Sequence, residues 1–273
     1  MIMVVSEELV TEIPLYQIDA FARRAFAGNP AAVCPLEAWL PDETLQAIAA
    51  ENNLSETAFF VRKDERYDLR WFTPSIEVDL CGHATLAAGY VVLELLAPGL
   101  PSVTFHTRSG ELVVRRAEGL FSIDLPARPP TSIPVTESLT EALGKRPVAA
   151  YAARDTVALF ESAEDVRALR PDMAKLAALD TFAVGVTARG TGIDGDVDFV
   201  SRFFAPQKGV PEDPVTGSLH CTLVPFWVSE LGRPQLLARQ VSARVGELDC
   251  TLAADRVLLA GSAVLVIEGR MRF

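Results

Sequence analysis

Two stretches of this chain are apolar around nearly their whole circumference, and they limit its possible folds more than any other feature. His83–Leu96 (HATLAAGYVVLELL) and Ser218–Leu231 (SLHCTLVPFWVSEL) both read as helices with no polar face to offer to water. The longest apolar run, Ala84–Leu93, is too short to span a bilayer, so each helix has to be enclosed by protein. The approach to the two helices is also repeated. Arg70-Trp71-Phe72-Thr73-Pro74 leads after seven residues into Gly82-His83, and Arg202-Phe203-Phe204-Ala205-Pro206 leads after ten into Gly217-Ser218. A strand, a loop and a glycine-opened helix thus occur twice in the same order, which predicts two related halves, each wrapping a sheet around its own helix. A chain of 273 residues, 49% apolar, has enough material for both cores.

The material for those sheets is plentiful. Strand-length runs rich in Val, Ile, Phe and Thr fall at 15–20, 58–62, 69–72, 102–106, 112–115 and 121–125, then at 148–152, 157–161, 182–187, 198–204, 241–245, 249–253 and 263–268. Two further helices have ordinary amphipathic spacing, 42–51 and 163–179. Pro225 inside the second apolar helix predicts a kink unless the helix starts late. Three prolines between Arg128 and Pro134 deny regular structure and suggest a crossing between domains. The expected fold class is therefore α+β, with an N-terminal domain over 1–127 and a C-terminal domain over 135–262.

Charge narrows the partners. With 25 Lys and Arg against 36 Asp and Glu, the net charge of −11 repels nucleic acid and anionic membranes. The opening Met1-Ile2-Met3-Val4-Val5-Ser6-Glu7-Glu8 lacks the basic start of a signal peptide, so the chain reads as a cytoplasmic protein. Cys34, Cys81, Cys221 and Cys250 are scattered, without the spacing of a disulfide framework or a zinc site. Gly190–Gly195 fits G-x-G-x-x-G but runs into an alternating strand, which makes it a hairpin loop and not a dinucleotide site. Asp194, Asp196 and Asp198 imitate a calcium loop whose later positions are filled by Phe199 and Ala205.

The chemistry gathers at the two helix starts. Facing halves would bring two helix N-termini to one cleft, and their unpaired N–H groups favour an anion such as a carboxylate without any basic patch. Glu56, in Asn53-Leu54-Ser55-Glu56-Thr57-Ala58-Phe59-Phe60, is either a solvated loop acid or a carboxyl raised by apolar neighbours into a general acid and base. His83 is either a helix-terminal polar group or a neutral imidazole that can pass protons. Asp213, before Pro214, is either a helix cap or its counterpart in the second half, and Ser218 can offer a hydroxyl and an N–H to a carboxylate. Cys81 at a helix start would be acidified, but the second half has Thr216 at the matching position, so a two-thiol racemase lacks its second base.

These residues carry a family resemblance. Ile18-Asp19-Ala20-Phe21 with Gly28-Asn29-Pro30-Ala31-Ala32-Val33, Leu54–Phe59, Phe72-Thr73-Pro74 through Glu77–Thr85, and Arg202–Pro206 through Glu212–Ser218 together resemble the PhzF family of phenazine-biosynthesis-like isomerases, within the diaminopimelate epimerase fold. The resemblance implies two similar barrel-like domains with the active site between them, a homodimer, no cofactor or metal, and a C-terminal strand, 263–273, that returns to the first domain. It also implies that Glu56 moves a proton between two carbons of a substrate like dihydrohydroxyanthranilate. His83, Asp213 and Ser218 assist it. At the helix starts, Ser218 with the N–H groups of Gly82 and Gly217 is expected to hold the substrate carboxylate, and Asn29 is a further candidate for substrate binding. An epimerase or racemase using Cys81, and a noncatalytic carboxylate-binding module, are the competing readings.

Overall fold

The computed structural model describes residues 10–273, so the start of the chain read above, 1–8, lies outside the described residues. The first half carries β1 (Glu12–Ala20), β2 (Asn29–Leu36), β3 (Glu56–Lys63), β4 (Arg66–Phe72), β5 (Glu77–Val78), β6 (Ser102–Thr107), β7 (Gly110–Ala117) and β8 (Leu120–Pro126). The second carries β9 (Thr131–Ile133), β10 (Ala149–Ala152), β11 (Thr156–Leu159), β12 (Val184–Arg189), β13 (Phe199–Phe204), β14 (Gln235–Gln240), β15 (Gly246–Ala253) and β16 (Arg256–Gly261), and β17 (Ala263–Arg272) follows. Between them lie α1 (Asp42–Asn52), α2 (Gly82–Tyr90), α3 (Glu137–Leu143), α4 (Ala163–Ala168), α5 (Met173–Ala177) and α6 (Gly217–Leu231).

The pairings repeat in order. In the first half β1 and β2 are antiparallel, β2 and β3 parallel, β3 and β4 antiparallel, β4 and β6 parallel, and β6, β7 and β8 antiparallel in turn. The run β10, β11, β12, β13, β14, β15, β16 follows the same order of directions. Parallel neighbours cannot be joined by a tight turn, so their connections must carry crossovers. Here α1 and α2 serve the first half, and α4 with α5, then α6, serve the second. β8 pairs with β16 and joins the halves. Each half is closed at its outer edge by a strand that leaves the other, β17 against β1 and β9 against β10. This is an α+β fold of two similar barrel-like mixed sheets, each around a buried helix.

The buried faces follow from the pleat. On β3, Ala58 and Phe60 join the core around α2, while Phe59 and Val61 join a second cluster with Leu45, Ile48 and Ala49 of α1. With both faces covered, the strand reads as a continuous apolar run. The α2 core continues into Leu219, Leu223 and Val224 of α6, so one apolar cluster spans both halves. Gly89 lets α2 approach β7 closely, because a Cβ there would overlap the side chain of Val114. Gly89→Ala is therefore expected to destabilise the protein by about 1–3 kcal/mol despite the better helix propensity of alanine, as measured by denaturant unfolding.

Several expectations are corrected. The helix expected over 163–179 is two, because Pro171 lacks the N–H to continue the first and Asp172 caps the second. The apolar helix from His83 stays α-helical only to Tyr90 and continues as a π-helix over Val91–Leu96. Residues 241–245 form no strand; β14 lies just before them. The proline-rich segment contains β9 between its prolines. Pro225 lies in the interior of α6, beyond the first turn. The carbonyl that its missing N–H leaves free, Cys221 O, accepts instead from the backbone N–H of Arg128 at 2.8 Å. Among the described residues no helix is long and apolar enough to cross a membrane.

Candidate active site

The two helix starts meet. A Cβ built on Gly82 would lie 3.8 Å from the Cα of Gly217, and the reverse distance is the same, with Leu125 3.6 Å from either. Each start is held by the same device. Arg70 forks onto Glu77 at 2.7 and 2.9 Å, and Arg202 forks onto Glu212 at 2.8 and 3.0 Å. Both guanidiniums also lie over a phenylalanine of their own strand, Phe72 at 5.1 Å and Phe204 at 4.9 Å from the ring centres. Each glutamate stands five residues before its glycine. A planar fork onto a carboxylate fixes direction as well as distance, so the loop ahead of each helix is pinned at the same point. The role of Glu77 and Glu212 was missed in the sequence; their common spacing from Gly82 and Gly217 was the available signal.

Superposed on that symmetry, matching positions carry different chemistry. Counting from the glycines, Cys81 matches Thr216, His83 matches Ser218, and Val78 matches Asp213. Thr216 Oγ1 donates to Asp213 Oδ2, and Gln240 spans both residues, donating to Asp213 O at 2.7 Å and accepting from Thr216 N at 2.9 Å. Thr216, not Asp213, occupies the N-cap position of α6, so the capping reading of Asp213 does not hold. Asp213 is tied instead across the molecule to Asn29. Asn29 Nδ2 donates to Asp213 Oδ1 at 2.8 Å and to Val215 O at 2.9 Å, and lies 3.2 Å from His83 Nδ1.

Asn29 reaches that point because the preceding turn passes close against the backbone of β1. Gly28 has φ +63, and a Cβ there would overlap the carbonyl oxygen of Ala20, so only glycine fits. Arg244, from the loop after β14, then holds the turn by donating to the Asp19 carboxylate at 2.8 Å, to Gly28 O at 2.9 Å and to Ala27 O at 3.0 Å. Asn29 is fully buried and does not line the cavity. It is placed to align Asp213 and His83, in contrast to the substrate contact expected of it.

Glu56 opens β3 opposite Ala31 and faces the same point, with Oε2 3.3 Å from His83 Nε2. Neither atom has a hydrogen-bond partner of good geometry, and both are buried. His83 Nδ1 lies 3.2 Å from the Asn29 amide nitrogen and 3.5 Å from Cys81 Sγ. Facing an amide NH2, Nδ1 is the unprotonated ring nitrogen, which puts the ring proton on Nε2, toward Glu56. Burial pushes the Glu56 carboxyl up to about 8, with the charge of Asp213 adding to it. Burial likewise moves Asp213 up to about 6 and His83 down to about 3. The imidazole is neutral, as its place predicted, but desolvation is the main cause rather than the helix terminus. The expected acidification of Cys81 is overturned: burial first, then the Glu56 carboxyl, hold its thiol well above the ordinary value.

These groups line a cavity of about 580 Å³ between the halves, together with Gly82, Gly217 and the half-buried Ser218. Glu56, Cys81 and His83 also present three donor atoms within 4.8 Å of one another, a set that could hold a metal ion. A basic wall is present as well, contrary to the expectation that none was needed: Arg128, Arg154 and Lys208 line the cavity. The remaining histidines are structural. His220 is held by its own helix through Thr216 O at 2.8 Å, and His106 lies among Arg66 and Glu111. The acids of the false calcium loop are occupied by arginines, Asp194 by Arg167 and Arg239, Asp196 by Arg239, and Asp198 by Arg233.

The profile of the phenazine biosynthesis-like proteins, PhzC-PhzF, matches residues 18–269. The chain belongs to that family. Among PhzC-PhzF relatives, an uncharacterised isomerase of Pseudomonas aeruginosa is 52% identical over 262 residues, covering 96% of this chain and 99% of the other. The crystal structure of a PhzF family protein from Enterococcus faecalis superposes with a TM-score of 0.92 at 44% identity, covering 96% of this chain and 99% of that one. A hydroxyproline epimerase from Agrobacterium vitis, 11% identical with a TM-score of 0.60 over 96% of this chain and 93% of its own, shares the fold.

Proposed function

We propose that this PhzC-PhzF protein is an isomerase that moves a proton between carbons of a small carboxylic acid without a cofactor, similar to the isomerisation of dihydrohydroxyanthranilate. The observation that carries the reading is Glu56, a buried carboxyl with an unpartnered oxygen, 3.3 Å from a neutral imidazole at the floor of the cavity. In this reading the ionised Glu56 takes a proton from a carbon next to the substrate's conjugated carboxylate. It holds that proton while charge shifts through the ligand, and returns it at another carbon. His83 Nε2–H steadies the charge of Glu56, and Asp213 aligns His83 through Asn29. The backbone N–H groups of Gly82, Gly217 and Ser218 hold the substrate carboxylate at the paired helix starts. The two halves act as separate domains, 1–127 with 263–273 and 135–262, whose closure keeps water from the carried proton. The isomerase name borne by the Pseudomonas relative supports the assignment.

Cys81 could serve as the base of an epimerase only as a thiolate, and burial opposes that form. Cys81→Ala is expected to retain turnover under the isomerase reading and to lose it under the epimerase one. The direct test is NMR in deuterated water with dihydrohydroxyanthranilate and a panel of small carboxylic acids, comparing wild type with Glu56→Gln. Deuterium incorporation that vanishes in the variant supports the reading, and incorporation that survives it rejects the role of Glu56. Because the base must start ionised, kcat/KM should rise with pH through the value of about 8 to which Glu56 is raised, then level off. A profile that is flat from about pH 6 to 9 contradicts this.

A further inference from the structure

We infer that the basic wall of the cavity is a second anion subsite, so that the ligand carries two acidic groups, one for the paired helix starts and one for Arg128 and Arg154. The inference rests on the carboxylate-isomerase reading of the cavity and extends it to a substrate class.

The observation behind it is a set of unpaired cations in an acidic protein. Elsewhere the arginines near the site are gripped by carboxylates, Arg70 by Glu77, Arg202 by Glu212 and Arg244 by Asp19. Arg128 has no carboxylate partner among the described residues, and its Nη1 is wholly buried without a hydrogen-bond acceptor. Arg154 has only Asp155, 4.0 Å away and beyond hydrogen-bond reach. Asp155 is itself buried with neither oxygen hydrogen-bonded, so it faces Arg154 and Arg128 as a charge without donating or accepting a bond to either. Arg154 and Lys208 lie 3.9 and 4.9 Å from the centre of the Phe182 ring, which keeps two cations together in the lining of the cavity. Leaving a buried guanidinium donor unpaired is costly, and an acid group on the ligand would supply what the protein does not.

The wall is built rather than incidental. Pro225 frees the carbonyl of Cys221, and the backbone N–H of Arg128 docks on it. Cys221 lies four residues inside α6 from Gly217, so the backbone of Arg128 is anchored about 6 Å along the helix from its start, and its side chain lines the same cavity as Gly82 and Gly217. A ligand with two acid groups in this one cavity would meet the helix starts with one and the arginines with the other. A ligand with one carboxylate would fill the helix-terminal position and leave the Arg128 donor unpaired.

The test is calorimetric binding of straight-chain dicarboxylates, malonate to adipate, each beside its own monoamide, with 3-phosphonopropionate as a phosphorus counterpart. At least one diacid should bind about tenfold or more tightly over its monoamide, the size expected of a charge-assisted hydrogen bond. That preference should collapse in Arg128→Gln and in Arg154→Gln, and should survive in Glu56→Gln. Arg154 is exposed, so its variant keeps the test open if Arg128→Gln folds poorly. Tighter binding of the phosphono acid than of the diacids would assign the subsite to phosphate-like groups, with the same dependence on the two arginines. Equal binding of diacids and monoamides, no binding by any diacid at millimolar concentration, or a preference untouched by both arginine substitutions would overturn the inference. If Glu56→Gln retains proton exchange while the diacid preference stands, the isomerase reading alone has failed.

Discussion

Glu56→Gln is expected to lower turnover by a factor of about a thousand while raising the stability of the protein at alkaline pH. The first effect follows from removing the only proposed proton carrier; the second follows from linkage. The folded-state value of the Glu56 carboxyl is about 8, above its ordinary 4.5. Between those values the folded protein holds a proton that the unfolded chain has released. The stabilisation is thus fully present below 4.5 and is lost as pH rises through 8. At about 1.4 kcal/mol per unit, wild type loses up to about 4 kcal/mol over this window from Glu56 alone, and glutamine, which does not titrate, loses none of it. Denaturant unfolding at about pH 5 and pH 9 should show the advantage of the variant growing from under about 1 kcal/mol to several. An advantage that does not change with pH would mean that Glu56 is not held protonated by burial. His83 and His220, lowered to about 3 and about 4, act in the opposite sense. Their share of stability is present above the ordinary 6.5 and is lost as pH falls toward those values.

Arg244→Met should cost about 3 kcal/mol and depress kcat more than KM. Asp19 is fully buried and its carboxylate takes one Arg244 donor at 2.8 Å, so the methionine variant leaves a buried anion with only the backbone N–H of Phe26 for company. The same guanidinium holds the carbonyls of Ala27 and Gly28, the two residues that lead into Asn29 and its contacts with His83 and Asp213. Restoring the charge balance with Asp19→Asn in the Arg244→Met background should recover much of the stability without recovering kcat, because the turn carbonyls stay unheld. Recovery of both would show that Arg244 acts through Asp19 alone.

Much of the architecture was legible because its signals are local. The all-round apolarity of the two central helices required enclosure, and the repeated Arg-to-Pro segments announced two halves. Where the reading failed, the cause lies in contacts between distant residues. β14 is hard to read because its alternation is blurred at two positions: Leu236 and Ala238 point inward, but so does Gln240, which bonds Asp213 and Thr216, while Leu237 points outward and stays 46% exposed. The apolar spacing over 163–179 continues on both sides of Pro171, so it reads as one helix although the proline divides it. At the site, Glu56, His83, Asp213 and Ser218 line one cavity, as the motifs implied, but the inward role of Asn29 depends on Arg244, over two hundred residues away. The state of Cys81 depends on burial that no helix-terminus argument supplies. The basic wall was invisible because Arg128 is brought in by a carbonyl that Pro225 leaves vacant, a link between segments with no shared motif.

The exchange of outer strands between the halves also sets an order of events during synthesis. β9 leaves the ribosome just before β10, its partner, so the second half has every strand it needs once β16 has emerged. The first half does not: the edge of β1 waits for β17, and Glu12 pairs with Arg272 across almost the entire chain. The half made first is therefore completed after the other, and until translation has passed β17 the nascent protein carries an open sheet edge at β1 that a chaperone or a neighbouring chain can occupy.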